Sequence, residues 1–354
     1  MSSSIYTSDG WLDIPAIRSL GAWCHVIIGP RQVGKTYGVL KDLLESDRYF
    51  IFSRRTGTEL DRCATNPDYD PFIPLEKEGY KTAFFKQGDT YSIADYSVEY
   101  KDAEDEIGKR VVNKRRGAAL SLYQIAGIKG FSGRRFTDWV FDEFIPEKIV
   151  VTRADEGGGF YNGYTTICGN RELEGEQPLI CWLLSNAARI DSPILAELGL
   201  VNEVSRMIRK GEEYKMLPSG VFVALPKSQK VIEKRQETAM ARHMAKYNPK
   251  SKAYRVAMQN EFAYDNLDLV KPKSLAGYSP LLSCGGIYIW DNGTSAYACR
   301  SRHNSRNRYK DTPEQRVICQ AENPEIRQLF NYGLLTFDAV ETMLDFLAYF
   351  DIKR

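Results

Sequence analysis

Over its first 230 or so positions the chain alternates short apolar runs with stretches of helical spacing. Trp23-Cys24-His25-Val26-Ile27-Ile28 predicts a buried strand, and a helix follows over Lys35–Glu45. Tyr49-Phe50-Ile51-Phe52 reads as a second strand, ending in Ser53-Arg54-Arg55. Asp138-Trp139-Val140-Phe141, Leu179-Ile180-Cys181-Trp182-Leu183-Leu184 and Val221-Phe222-Val223-Ala224-Leu225 supply three more, the last closed by Pro226. Strands alternating with helices predict an α/β sheet, whose ligands bind beyond the carboxyl ends of the strands.

Residues 80–130 follow another pattern. Phe84-Phe85, Tyr91-Ser92-Ile93, Tyr96–Tyr100 and Ala118–Leu122 alternate and are separated by polar turns, which predicts inserted β-hairpins. Asn113-Lys114-Arg115-Arg116-Gly117 reads as a hairpin tip, so Lys114, Arg115 and Arg116 are candidates for a phosphate backbone. Lys129, Arg134 and Arg135 add to them. Gly157-Gly158-Gly159 predicts a mobile loop, and residues 228–247 a charged linker helix. In the last part, Ile287–Trp290, the turn Asp291-Asn292-Gly293-Thr294 and Ala296–Cys299 form a hairpin signal, since Asn-Gly accepts positive φ. The basic stretch from Arg300 through Arg302, Arg306 and Arg308 to Lys310 suits phosphates, and Phe337–Phe350 is an amphipathic helix. These shifts predict three parts: 1–226, a linker at 227–277, and a small α/β domain at 278–354. Residues 1–22 are a lead-in whose Trp11, Leu12, Ile14 and Ile17 pack near the site.

Composition narrows the classes. A chain of 354 residues is long for one core. No run approaches the ~20 apolar residues of a membrane span, and the N-terminus lacks a signal-peptide core. Seven scattered cysteines without a C-x-x-C pair argue for a reducing compartment and against zinc. A net charge of +2 disfavours a broad basic surface but allows local patches.

The sharpest chemistry is Gly29-Pro30-Arg31-Gln32-Val33-Gly34-Lys35-Thr36, a G-x-x-x-x-G-K-T Walker A pattern between strand and helix. Its glycines let successive N–H groups curl around phosphate oxygens, and the helix N-terminus adds positive potential. Lys35 should reach the β- and γ-phosphates of ATP, and the Thr36 hydroxyl should ligate Mg²⁺. Asp142-Glu143, ending an apolar strand, is a Walker B pattern with a catalytic glutamate: Asp142 for Mg²⁺, Glu143 for the attacking water. Ser185-Asn186 ends the neighbouring strand, and Asn186 is placed to sense the γ-phosphate.

These motifs resemble a known family, the DNA-packaging motor ATPases (encapsidation proteins) of small short-tailed phages with protein-primed genomes. The resemblance rests on G-P-R-Q-V-G-K-T at 29–36, Y-F-I-F-S-R-R at 49–55, W-V-F-D-E-F at 139–144, G-N-R-E at 169–172, L-L-S-N-A at 183–187 and L-L-T-F-D at 334–338. Arg31-Gln32 is also similar to the P-loop of the large terminases. The resemblance implies a P-loop NTPase domain of the ring-forming ASCE class (additional strand, catalytic Glu), a linker, and a small RNase H/nuclease-like C-terminal domain. It implies a homo-oligomeric ring, a pentamer, docked on the portal (connector) protein of a procapsid in the host cytoplasm. There it would hydrolyse ATP with Mg²⁺ and draw in double-stranded DNA, an RNA scaffold being a further partner to test. By the same resemblance Arg31 would contact the γ-phosphate within its own subunit. Arg171 would be an arginine finger reaching the neighbour's nucleotide, with Arg153 and Arg189 as competitors, because relatives carry a further Arg where this chain has Gly169.

Two-metal cleavage needs several convergent carboxylates. Ile287–Trp290 carries none, Asp291 sits in a turn, and Asp338, Asp345 and Asp351 have helix-surface contexts, so no nuclease activity is expected. The competing readings are a single-strand-directed helicase or recombination-type ATPase, and an assembly protein that uses nucleotide as a switch without hydrolysis.

Overall fold

The computed structural model describes residues 4–101, 108–127, 131–145, 156–186, 192–249, 251, 254 and 269–352. The chain forms two compact units, Met1–Arg189 with Lys210–Ala263, and Ile190–Arg209 with Tyr264–Arg354. This division differs from the three parts read from the sequence. Residues 190–209 leave the first part, and most of the expected linker joins it.

The first unit is built on nine strands: β1 (Cys24–Ile28), β2 (Phe50–Ser53), β3 (Thr82–Gln87), β4 (Thr90–Glu99), β5 (Lys109–Ala119), β6 (Asp138–Asp142), β7 (Ile180–Ser185), β8 (Tyr214–Met216) and β9 (Val221–Ala224). Their order is β3-β4-β5-β2-β6-β7-β1-β9-β8. From β2 to β9 neighbours run parallel, and β1, β2, β6 and β9 are buried along their whole length, as a sheet covered on both faces requires. β7 lies between β1 and β6, so the strand that feeds the P-loop and the strand that ends in Asp142 are separated by one strand.

β3, β4 and β5 are antiparallel, as expected, but the cationic tip is not. Lys114, Arg115 and Arg116 lie within β5. Lys114 and Arg116 both pair with Asp47, and Arg116 also with Asp95 at 2.7 Å; Arg115 is exposed. Gly117 has the look of a turn residue. It marks no turn: a Cβ there would stand 1.9 Å from the Phe50 carbonyl oxygen, so the glycine serves close approach of two strands. The Gly157–Gly159 loop is likewise corrected, since these residues open the helix Glu156–Cys168. Gly157 and Gly159 are buried, and Phe160 stacks on Trp139 with centroids 5.1 Å apart. Further along the same helix, a Cβ on Gly163 would stand 3.1 Å from the Trp139 ring, so that glycine lets the helix approach the sheet.

The expected linker helix is two helices, Gln229–Gln236 and Ala239–Tyr247. The first is part of the core, with Val231 buried in the same apolar cluster as Leu12, Ile14 and Ile17 from the lead-in.

Around Asp138, at the amino end of β6, buried charges are joined in a network. Arg18 bridges Asp42 at 2.6 Å and Asp138 at 2.7 Å, and Trp182 Nε1 donates to Asp138 at 3.0 Å. His25, fully buried, stacks on Trp182 at 4.1 Å. Burial, helped by the Arg18 charge, lowers its pKa to about 4. The unfolded chain therefore takes up this proton near pH 6.5 while the folded chain does not, so stability falls as pH drops from about 6.5 towards 4, by roughly 3 kcal/mol for this group. Urea midpoints of wild type and His25→Phe should diverge across that window as acid is added, the wild type losing more; parallel curves would contradict the assignment.

The second unit holds β10 (Ser279–Cys284), β11 (Ile287–Asp291), β12 (Ala296–Cys299), β13 (Arg308–Tyr309) and β14 (Leu335–Phe337), in the order β13-β10-β11-β12-β14. The β11–β12 hairpin forms as its Asn-Gly signal predicts, with Gly293 at φ 86° and Asn292 Oδ1 accepting the Thr294 and Ser295 N–H groups. The terminal helix spans Val340–Tyr349 and not Phe337–Phe350. Phe337 belongs to β14, where it meets Phe346 of the helix at 5.3 Å.

Candidate nucleotide-hydrolysis site

The P-loop turns out of β1 on two glycines, one where a side chain would not fit and one whose backbone a side chain would strain. A Cβ on Gly29 would lie 2.7 Å from the Pro226 ring, and Gly34, capping the helix Lys35–Glu45, has φ 86°. Gln32 also takes positive φ, 59°, a strain typical of functional loops. Lys35 is 6% exposed. Its Nζ donates to the carbonyls of Gly29 (3.1 Å) and Pro30 (2.6 Å) and to Asn186 Oδ1 (2.7 Å). Burial lowers its pKa to about 8, opposed by Asp142 and Glu143 and assisted by the charges of Arg235 and Arg31. It stays mostly protonated at neutral pH, ready for an anion.

Across the sheet, Thr36 Oγ1 donates to Asp142 Oδ1 at 2.9 Å. Arg54 holds the other carboxylate oxygen at 2.9 Å. The register explains the meeting: β6 pairs with β7 on one side and β2 on the other, so Arg54 falls beside Asp142 and Glu143 comes within one position of Asn186. Asn186 Nδ2 donates to Glu143 Oε1, and Glu143 itself takes φ 55°. One amide thus joins the P-loop lysine to the candidate base. The sequence placed Asn186 as a phosphate sensor and missed this second contact. It placed Arg54 at a strand end without its acid, though the apolar runs of β2 and β6 would have suggested neighbouring strands.

A groove of about 780 Å³, lined among others by Trp11, Leu12, Pro15, Lys35, Tyr37 and Asn186, opens beside the loop, ample for a nucleotide. Arg31 and Gln32 are exposed at its rim; Val33 is buried. Among the described residues no cluster of three or more His, Cys, Asp or Glu could hold a metal alone. One hydroxyl and one carboxylate, Thr36 and Asp142, fit a Mg²⁺ that takes its remaining oxygens from phosphates and water.

Other candidates lie elsewhere. Arg171 is 5% exposed and donates to the carbonyls of Cys168, Gly133 and Arg134, each at 3.1 Å. It anchors the turn after the helix to the segment leading into β6, its guanidinium engaged by these carbonyls of its own chain. Arg171→Ala should lower stability by about 2–4 kcal/mol, because buried carbonyls lose charged donors. A thermal melt checks this; an unchanged midpoint would contradict the anchoring role. Arg153, Arg189 and Lys129 lie outside the described residues. Arg55, buried against Glu156 at 2.6 Å, is structural. Arg134 is exposed and pairs with Glu174 and Glu176. In the second unit Arg300 is tied to Asp345 and to the Gly286 carbonyl, and Arg308 to Ser305 and Asn304. Arg302, Arg306 and Arg308 are exposed, on a segment pinned to β11 by His303 against the Ile289 carbonyl at 3.1 Å.

A P-loop strand, an additional strand ending in Ser185-Asn186, and then an Asp-Glu strand define the fold of a P-loop NTPase of the additional-strand, catalytic-glutamate class. Neither a scan of family models nor a search of curated proteins finds a match. Among solved structures, the chain is similar to the Phi-28 gp11 DNA packaging motor, with TM-score 0.58 and 17% identity over 98% of this chain and 100% of that one. It is also similar to a chain of the bacteriophage Phi-29 viral genome packaging motor assembly, with TM-score 0.62 and 18% identity over 96% of this chain and 97% of that one. The chain has the fold of these packaging motors along nearly its whole length.

Proposed function

We propose that this chain is an ATPase that drives double-stranded viral DNA into a procapsid, working as a homo-oligomeric ring on the portal protein. The observation that supports it most is the junction of both Walker motifs, Thr36 on Asp142 and Lys35 joined through Asn186 to Glu143, within a fold of packaging motors. The P-loop N–H groups and Lys35 would cradle the phosphates, and Glu143 would take the proton of the attacking water. Mg²⁺, held by Thr36 and Asp142, would neutralise charge building on the phosphates. A γ-phosphate at Lys35 competes with Asn186 for the ammonium. Its arrival would loosen the amide that holds Glu143 and so tie hydrolysis to occupancy. With Arg171 committed to carbonyls, a finger from the neighbouring subunit falls to Arg153 or Arg189. Arg115, Arg302, Arg306 and Arg308 remain for DNA. Asp345 is engaged by Arg300, and Asp338 accepts the Arg300 N–H, which supports a C-terminal unit without cleavage activity.

Phosphate release by the full chain, measured with plasmid duplex, with single strands and with no DNA, tests the reading. Duplex should stimulate most, with the plasmid recovered uncut. Stimulation by single strands alone would favour a helicase-type enzyme, and no release at all a nucleotide switch.

A further inference from the structure

The Asp142 carboxylate is shared by two side chains of its own chain. Thr36 Oγ1 donates to Oδ1 at 2.9 Å, and Arg54 Nη2 lies 2.9 Å from Oδ2. Arg54 is set there by its backbone. β2 runs parallel to β6 with Ser53 opposite Phe141, so the next position on each brings Arg54 to Asp142. The Arg54 carbonyl accepts the Leu122 N–H at 2.9 Å. Two residues on, the Thr56 side chain caps the helix Gly57–Thr65 at the Glu59 N–H. The Arg54 side chain is 18% exposed, and its buried Nε has no hydrogen-bond partner. A donor left unmet costs stability, so packing alone does not account for this seat.

A divalent cation ligated by Thr36 and Asp142 therefore meets a carboxylate that a guanidinium also holds. Around that position Lys35 and Arg54 face Asp142 and Glu143, two cations against two carboxylates. A balanced set offers a dication little net attraction, and a guanidinium on the ligand itself repels it. Mg²⁺ sheds water reluctantly and takes much of its shell from phosphate oxygens. A nucleoside triphosphate brings those oxygens and several negative charges at once.

We propose that Arg54 sets the metal affinity of this site, holding Asp142 so that a divalent cation enters together with a nucleoside triphosphate and not alone. The proposal rests on the ATPase reading above. Arg54 is then a positioning residue, acting through the Asp142 carboxylate. It makes the arrival of metal depend on the arrival of nucleotide.

Electron paramagnetic resonance of Mn²⁺ added to the full chain tests this without turnover. Given Mn²⁺ alone, Arg54→Gln should bind it about tenfold more tightly than wild type, and Arg54→Lys, which keeps the charge, should stay near wild type. The direction is diagnostic, because a variant that only disturbed the fold would weaken the site. Should the glutamine variant fail to fold, Arg54→Met, which keeps the buried stem, replaces it. Adding Asp142→Asn to the uncharged variant should remove the gain. Mn²⁺ binding that is unchanged or weaker in the uncharged variant would overturn the proposal. So would an equal gain in the lysine variant, or a gain that survives the loss of the Asp142 carboxylate. Wild type given Mn²⁺ and a non-hydrolysable ATP analogue separates the two claims. If it binds both and the uncharged variant gains nothing with metal alone, only the role of Arg54 fails. If it binds neither, the ATPase reading fails.

Discussion

Glu143→Gln lowers turnover by about 10²–10⁴-fold while nucleotide affinity stays near wild type. The separation follows from geometry. Glu143 stands on the far side of Asn186 from the P-loop, and its carboxylate meets that amide, whereas Lys35 meets the loop carbonyls and the other end of the amide. Glutamine keeps the size, and its amide still meets Asn186, yet it cannot accept the proton of water. Single-turnover phosphate release beside equilibrium binding reads both quantities. Affinity and turnover falling together would mean that Glu143 helps to build the site and is not its base.

Lys35→Ala removes both. The ammonium is the one cation of the P-loop helix buried at the loop's mouth, and a pre-placed donor of this kind is worth about 10²–10³-fold in rate, with a matching loss of phosphate affinity. The fold should survive, because Asp142 keeps Thr36 and Arg54, and the ammonium is already partly destabilised by burial. Nucleotide titration together with a thermal melt checks this. Retained binding would place the phosphates elsewhere in the groove.

The parts of this site that were legible in the sequence are those whose chemistry is local. The P-loop is a contiguous run in which spacing alone fixes which atom goes where, and Asp142-Glu143 ends an apolar strand visibly. Strand content followed from burial on both faces, which leaves unbroken apolar runs such as Val26-Ile27-Ile28. What the sequence hid depends on partners distant along the chain. Gly117 reads as a turn residue until Phe50 is beside it, and Gly157–Gly159 as a loop until Phe160 and Gly163 of their helix are seated on Trp139. Arg171 reads as a reaching cation until three carbonyls surround it. Arg54 and Asn186 acquire their roles only from the strand order, because β2 and β7 flank β6. The helix Gln229–Gln236 lies almost 200 residues along the chain from the P-loop, yet its Val231 shares an apolar cluster with Val33. A charged helix in that place reads as solvated linker until its inner face is known.

Electron microscopy of the full chain with a short DNA duplex and a non-hydrolysable ATP analogue bears most directly on the motor. Closed rings of identical subunits with the duplex running through the centre are expected, and a Lys35→Ala sample should lose them. A chain that binds the analogue yet stays monomeric, or that lies along the duplex without encircling it, would contradict a packaging motor.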